Sequence, residues 1–281
     1  MTAIAQPVRP LSRRVSPAAG LRNTGTLVWR NLVQIKHNPM ELIDLSIQPI
    51  MFVLLFAYVF GPALSGSVSA YLPILIPGII VQNAMFATLT TGVGLCTDVS
   101  KGVFDRFRSL PIGRSAPLAG RIAADTVKQA WSVMILLVMG IIIGFRVDTT
   151  WWALIPAFAL ILAFTLLFSW VSVFIGLMAS EPEKVQIFGF VFIFPLSFLS
   201  NAFIPLSSSY PHWLRDIMQA NPISQLADAL RGMLIGYGTD PITKAHIPQP
   251  VVGPAINSLL WGAGIAVVFI PLSLWAYRKR T

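Results

Sequence analysis

The side chains best suited to chemistry in this chain lie in one basic segment, residues 98–121, between two long apolar stretches. Its cations are Lys101, Arg106, Arg108, Arg114 and Arg121. Hydrocarbon does not tolerate so many charges, and loops rich in Lys and Arg are retained in the cytoplasm. We therefore predict that this segment is a cytoplasmic loop.

The sequence predicts a short amphipathic helix within this loop. Its apolar residues recur at helical spacing and are Val103, Phe104, Phe107 and Leu110. The polar residues that point elsewhere are Asp105, Arg106 and Arg108. Pro111 ends the helix. Such a helix is either an anchor in the lipid interface or a docking element for a soluble protein, and its pattern alone leaves both open.

The chain lacks the common sequence motifs of catalysis. It contains no phosphate-binding loop of the Gly-x4-Gly-Lys-Ser/Thr type, no His-Glu-x-x-His pair and no Ser nucleophile in an elbow motif. Cys96 is the only cysteine and the three histidines are scattered, so we expect no intrachain disulfide, metal site or bound cofactor. Work that needs energy must be powered by a partner.

The composition is that of a polytopic membrane protein. Charged residues make up 11% of the chain and hydrophobic residues 55%, whereas soluble domains carry about 25% charged residues. The net charge of +9 arises from cations in loops beside apolar stretches, without any nucleic-acid-binding motif. We therefore expect contact with anionic membrane lipids and not with nucleic acid.

Apolar stretches of about 20 residues are long enough to cross a bilayer. We predict six spans, at residues 45–64, 72–96, 127–145, 151–178, 185–204 and 252–277. With both termini in the cytoplasm, 16 of the 20 Lys and Arg residues lie on the cytoplasmic side, which favours this topology. The predicted fold class is an all-α integral membrane protein.

This topology divides the chain into three parts. Residues 1–20 are predicted to be a flexible cytoplasmic tail, 21–41 an amphipathic helix on the membrane surface and 42–281 the six-helix domain. The domain includes the cytoplasmic loop 98–121 and an external helical segment at 206–252.

Two short amphipathic helices are predicted in the external segment, joined by a turn at Asn221 and Pro222. Ser224 is predicted to cap the start of the second helix and Gly232 to end it. Asp228 and Arg231 have the spacing of an i,i+3 ion pair on that helix.

Ionisable residues are almost absent from the predicted spans. Asp44, Asp98, Asp125 and Lys128 all lie at span ends. Proton- and ion-coupled transporters keep such residues inside the membrane as relays. The pattern therefore counts against a secondary transporter or channel, which stays an alternative, as does a membrane scaffold that transports nothing.

Five segments together resemble the permease subunits of ABC-2 type exporters, most closely those of drug efflux systems of the daunorubicin-resistance type. The segments are residues 48–61, 101–112, 143–146, 194–201 and 221–232, and the resemblance covers about residues 24–277. In much of that family the loop motif carries Glu where this chain has Asp105, so the charge is kept.

The resemblance implies the transmembrane domain of a type V ABC exporter in a bacterial cell membrane. Two permeases, identical or paralogous, would pair above two cytoplasmic ATPase subunits that hold ATP and Mg. Residues 103–111 would be the coupling helix, with apolar anchors and polar contacts at the positions given above. Residues 27–38 would be a connecting helix that also contacts the ATPase.

Large, soft side chains in the spans are candidates for an apolar substrate path. They are Phe52, Phe56, Met85, Phe86, Met134 and Phe194. The alternative is that they face lipid or neighbouring helices. The polar residues within or near the spans are Gln48, Gln82, Asn83 and Asn201, and hydrogen bonds between helices explain them as well as substrate contact does.

The resulting expectation is a permease, not itself an enzyme, that exports a hydrophobic or amphipathic compound with energy from a separate ATPase. Within the same class, export of a lipid or glycoconjugate is the alternative.

Overall fold

The computed structural model describes residues 39–103, 116–202, 210–239 and 246–280, and the single residues 25, 26, 29 and 33. The helices in these ranges are α1 (Pro39–Leu55), α2 (Gly61–Ser65), α3 (Val68–Ser100), α4 (Ala116–Ile143), α5 (Leu154–Met178), α6 (Pro182–Phe198), α7 (His212–Ala220), α8 (Pro222–Leu234) and α9 (Val252–Arg280). The predicted tail at 1–20, most of the predicted connecting helix and residues 104–111 of the predicted coupling helix lie outside the described residues.

Five stretches of the described chain are long and apolar enough to cross a membrane. They are Ser46–Ser65, Val68–Ser100, Leu118–Ile143, Trp151–Met178 and Val252–Lys279. They coincide with the first four predicted spans and the sixth, although α3 and α4 begin several residues earlier than predicted.

The predicted fifth span, residues 185–204, was wrong in its length. The helix at this place, α6, has 17 residues and ends at Phe198, one turn after Pro195. At the rise of an α-helix it extends about 25 Å, less than the bilayer core of about 30 Å. Beyond Phe198 the chain turns through residues 199–202.

The first span is not a uniform α-helix. A π-helical turn, Phe56–Phe60, joins α1 to α2, and Gly66 ends α2 with a left-handed φ of 77°. Pro49 lies inside α1, where its missing N–H leaves one helical hydrogen bond unmade.

Helix α3 is the central helix of the described structure. It packs against α4, α5, α6 and α8, and 67% of its most apolar stretch is buried, against 22% for the corresponding stretch of α9. Ser67 caps its start by accepting a hydrogen bond of 3.2 Å from the Ala70 N–H. The helix then continues through both Pro73 and Pro77.

Two glycines allow α3 and α5 to cross with their backbones in contact. A Cβ atom on Gly92 would clash with the Ser172 carbonyl oxygen, and one on Gly176 would clash with the Gly92 carbonyl oxygen. Beside this crossing the Thr88 and Ser172 hydroxyls are hydrogen-bonded at 3.2 Å. Small residues allow such close packing in membranes, where helices gain little from excluding lipid.

A two-stranded antiparallel sheet interrupts the predicted all-α fold. Strands β1 (Tyr237–Thr239) and β2 (His246–Pro248) pair after Gly236, whose φ of 82° turns the chain out of α8. Strands of three residues are too short to show an alternating pattern in the sequence, and the prediction missed them for that reason.

The turn between α4 and α5 is fastened to the end of α8 and to β1. The Asp148 N–H donates to the Leu234 carbonyl oxygen at 3.1 Å, and the Thr149 hydroxyl donates to the Met233 carbonyl oxygen at 2.6 Å. The Tyr237 hydroxyl donates to Asp148 Oδ2 at 2.8 Å. Burial raises the pKa of Tyr237, and the neighbouring Asp148 raises it further, so the phenol keeps the proton that it donates.

The glycine crossing can be tested by substitution. Gly92→Ala should cost about 2 kcal/mol of folding free energy, because the new methyl group meets backbone that cannot yield without separating α3 from α5. Gly264→Ala in α9 is the control, since a Cβ atom there meets open space. Thermal unfolding in detergent measures both variants, and equal melting temperatures would contradict the proposed crossing.

Candidate functional site

The predicted coupling helix meets the described structure only at its start. Helix α3 ends at Ser100, the chain turns at Lys101 and Gly102, and Val103 is the last described residue before α4 begins at Ala116. The other predicted coupling residues lie outside the described part of the chain: Phe104, Asp105, Arg106, Phe107, Arg108, Leu110 and Pro111. The ends of α3 and α4 are thus the supports that hold this loop.

Four charged residues near those two helix ends form what we call the Arg121 cluster: Asp98, Arg121, Asp125 and Lys128. Arg121 Nη1 lies 3.1 Å from Asp98 Oδ2 on α3, and its Nε lies 3.1 Å from Asp125 Oδ2 on α4. Lys128 Nζ lies 3.6 Å from Asp125 Oδ1. The two carboxylates and two cations balance, which offsets the cost of partly burying all four.

Gly94 makes room for the Arg121 guanidinium against the backbone of α3. A Cβ atom at this position would overlap Arg121 Nη2. The spacing of Arg121, Asp125 and Lys128 along α4 was a visible signal for their pairing. The bond from Arg121 to Asp98 joins two helices, and the sequence analysis missed it.

At the opposite end of α3, five polar residues form a second group that we call the Arg231 cluster: Asn201, Asn221, Ser224, Asp228 and Arg231. Arg231, only 6% exposed, donates to Asp228 Oδ1 at 3.1 Å, which confirms the predicted i,i+3 pair. It also donates to carbonyl oxygens of three residues, at 2.7 Å to Asn201, 2.8 Å to Ala202 and 3.3 Å to Ile74.

Burial lowers the pKa of Arg231 from its usual value, and the adjacent Asp228 carboxylate opposes that shift. A guanidinium remains protonated in proteins, so the cluster contains a buried positive charge whose compensation comes from Asp228 and the three carbonyl oxygens. One arginine therefore joins α3, the turn at 199–202 and α8.

Asn201 and Ser224 complete the attachment of the 199–202 turn to α8. The Asn201 amide donates to both Asp228 carboxylate oxygens at 2.8 Å, and its backbone N–H donates to Ser224 Oγ at 3.0 Å. A Cβ atom on Gly78 would overlap the Ala202 carbonyl oxygen, so the turn lies directly on the backbone of α3.

Asn221 caps α8, which corrects the predicted role of Ser224. Asn221 Oδ1 accepts a hydrogen bond of 2.8 Å from the Ile223 N–H, and Pro222 occupies the first turn, where its missing N–H costs little. The Asn221 amide also donates to the carbonyl oxygens of Leu196 and Leu199, at 2.7 and 2.9 Å. The predicted end of the helix at Gly232 was also wrong, because α8 continues to Leu234.

The substrate-path candidates lie in several environments. Met85 is completely buried and Phe56 and Phe86 are half-buried, whereas Phe52, Met134 and Phe194 are exposed on the helix surfaces. Phe52 and Phe56 stack with ring centroids 5.9 Å apart. Asn83, one of the polar candidates, donates to Ser132 Oγ of α4 at 2.8 Å, which is a bond between helices.

Two of these candidates belong to a continuous row of rings, which we call the phenylalanine row: Phe86, Phe190, Phe194 and Phe198. Successive ring centroids lie 5.7, 4.9 and 4.3 Å apart. The sequence analysis missed Phe190 and Phe198, although the spacing of four along α6 was a visible signal. The row presents a polarizable apolar surface along α6, with the ring of Phe86 on α3 at one end.

Residues 22–235 match the family described as ABC-2 type transporter. The chain belongs to this family. The resemblance stated from the sequence motifs is thereby confirmed, and the five membrane-spanning stretches fit a multi-pass protein of the cell membrane.

Individual relatives agree over most of the chain. The daunorubicin resistance ABC transporter permease protein DrrB1 of Streptomyces coeruleorubidus is 34% identical over 267 residues, which are 95% of this chain and 90% of the relative. The probable doxorubicin resistance ABC transporter permease protein DrrC of Mycobacterium tuberculosis (strain ATCC 25618 / H37Rv) is 26% identical over 93% of this chain and 91% of its own length. The putative transport permease ycf38 of Cyanophora paradoxa is 27% identical over 73% and 71%.

The Arg231 cluster generates a stability prediction. Arg231→Gln should cost about 3 kcal/mol of folding free energy, because Asp228 is left without its cation and three carbonyl oxygens lose a donor. Arg146→Gln, in the exposed turn after α4, is the matched control and should unfold like the wild type. The melting temperatures of both variants in detergent are compared with that of the wild type. If Arg231→Gln and Arg146→Gln lose the same stability, Arg231 does not hold the turn.

Proposed function

We propose that this chain is the transmembrane permease subunit of an ATP-driven exporter that moves a hydrophobic or amphipathic compound, of the drug or antibiotic class, out of the cell. The observation that carries the proposal is the 34% identity over 95% of the chain to a daunorubicin resistance permease. The apolar phenylalanine row supports it, because aromatic surfaces suit flat, apolar compounds.

A separate cytoplasmic ATPase supplies the energy in this proposal. The chain carries no phosphate-binding loop, so ATP and Mg are held by the partner subunit. Residues 103–111 are the proposed docking element, with Phe104, Phe107 and Leu110 as apolar anchors in the ATPase surface. Asp105, Arg106 and Arg108 set the register of the contact.

The proposed topology has six membrane segments and both termini in the cytoplasm. Helix α6 is the additional segment, and in this proposal it ends inside the outer leaflet, where Asn221 at the start of α8 donates to the carbonyl oxygens of Leu196 and Leu199. The distribution of Lys and Arg along the sequence supports this arrangement. Exposed Trp151 and Trp152 at the start of α5 and exposed Trp275 near the end of α9 mark the two interfaces.

A second permease, identical or paralogous, completes the proposed transporter, as the resemblance to ABC-2 type exporters implies. The phenylalanine row of α6 and the stacked rings of Phe52, Phe56 and Phe60 on the first span are the proposed lining of the path between the two copies.

The partnership is tested by purifying the tagged chain from its native membrane in mild detergent. A soluble protein with a phosphate-binding loop should co-purify in stoichiometric amount. Phe107→Asp should release it while the permease stays inserted, because a charge cannot enter an apolar groove unpaired. Phe107→Leu is the control and should retain the ATPase. A wild-type chain that repeatedly purifies alone would contradict the proposed function.

The path is tested by ATP-dependent uptake of daunorubicin into inside-out vesicles that contain the permease and its ATPase. Phe194→Ala should raise the apparent KM for daunorubicin about fivefold, because one ring of the row is lost. Phe192→Ala removes the same ring from the same helix at a position outside the row, and it should leave the KM unchanged. Equal values for the two variants would place the path elsewhere.

A further inference from the structure

Arg121 bridges the two helices from which the proposed docking loop emerges. Its partner Asp98 lies two residues before the end of α3, and Arg121 itself lies five residues after the start of α4. The bond between them, 3.1 Å from Nη1 to Oδ2, therefore closes the base of the loop.

The fit of the guanidinium at this place is specific. It rests against Gly94, where any larger residue would displace it, and its Nε makes a second contact of 3.1 Å, with Asp125 Oδ2 on α4. Asp125 is only 8% exposed, so its charge depends on Arg121 and Lys128 for compensation.

We propose that Arg121 is a positioning residue of the exporter, which fixes the spacing of α3 and α4 at the base of the loop so that both helices move when the ATPase moves the loop. This inference rests on the proposed function, because it assigns Arg121 a part in transmitting force from the ATPase. Without the bridge, packing alone holds the two helix ends together, so movement of the loop is passed to α3 and α4 less completely.

Helix α3 connects the Arg121 cluster with the Arg231 cluster at its other end. It has 33 residues and is about 50 Å long at the helical rise. One end carries Asp98 and Gly94 in contact with Arg121, and near the other end Ile74 accepts a hydrogen bond from Arg231. A displacement of α3 at the Arg121 cluster is thereby delivered to the 199–202 turn and α8.

The test uses the wild-type complex of permease and ATPase, reconstituted in liposomes, and three variants. Arg121→Gln removes the bridge, and Arg121→Lys keeps the charge but loses the two-pronged contact. Lys184→Gln is the control, since it breaks an exposed ion pair of 3.4 Å between Lys184 in the first turn of α6 and Glu181 just before that helix. Bound ATPase, ATP hydrolysis and daunorubicin moved per ATP are measured for each.

Arg121→Gln should retain the ATPase and continue to hydrolyse ATP, while daunorubicin moved per ATP falls about tenfold. Arg121→Lys should lie between this variant and the wild type, and Lys184→Gln should match the wild type. A purely structural role would lower hydrolysis and transport together. If the ratio of transport to hydrolysis in Arg121→Gln equals that of the wild type, the inference is overturned. If Arg121→Gln does not reach the membrane, a wild-type ratio in Arg121→Lys overturns the inference instead.

A second measurement needs no substrate. Hydrogen exchange of residues 199–202 and of α8 is compared with and without ATP and vanadate. The wild type should show a nucleotide-dependent change there and Arg121→Gln should not; the same change in both overturns the inference. If the wild type binds no ATPase, the proposed function is contradicted and the inference with it. If transport is coupled to ATP hydrolysis equally well in the wild type and in Arg121→Gln, only the inference is contradicted.

Discussion

The rest of the structure depends on how the end of α6 satisfies its backbone carbonyl groups. Helix α6 ends at Phe198, and the carbonyl groups at a helix end have no partner within the helix and are costly to bury unpaired. Asn221 and Arg231 donate to four carbonyl groups at or just beyond this end, that of Leu196 in the helix and those of Leu199, Asn201 and Ala202 in the turn that follows. Two side chains thus satisfy the backbone of an irregular turn that packs directly on α3.

Close backbone contact explains why the central helix is so rich in glycine at its crossings. The 199–202 turn packs against Gly78, α5 packs against Gly92, and the Arg121 guanidinium packs against Gly94. Each contact excludes a side chain and brings a carbonyl group or a charge against α3. The helix therefore has closely fitted contacts along its whole length, which suits a part that moves as one body.

Local patterns were sufficient to predict much of the fold. Apolar length located five spans, the Asn221–Pro222 pair marked a turn between two helices, and Asp228 with Arg231 formed the predicted pair. Local patterns failed where a partner is distant in the chain. The hydrogen bond from Arg231 to Ile74 joins residues 157 positions apart, and local residue spacing cannot predict such a bond.

The misjudged length of α6 has the same cause. The predicted span counted Ser200 and Asn201 with the apolar residues around them, whereas these residues form a turn held by hydrogen bonds with Ser224 and Arg231 of α8, which are distant in the chain. Within the Arg121 cluster, the pairs along α4 have a helical spacing that is visible in the sequence but was not used to predict them, and the bridge to Asp98 depends on how two helices meet. The coupling residues at 104–111 stay predictions, since they lie outside the described residues.

The hydrogen bonds around Asn201 also constrain how the protein is made. Residues 196–202 are synthesised before Arg231, so their carbonyl groups have no donors from α8 until that helix has been made. The turn at 199–202 therefore reaches its final contacts only after α8 has formed.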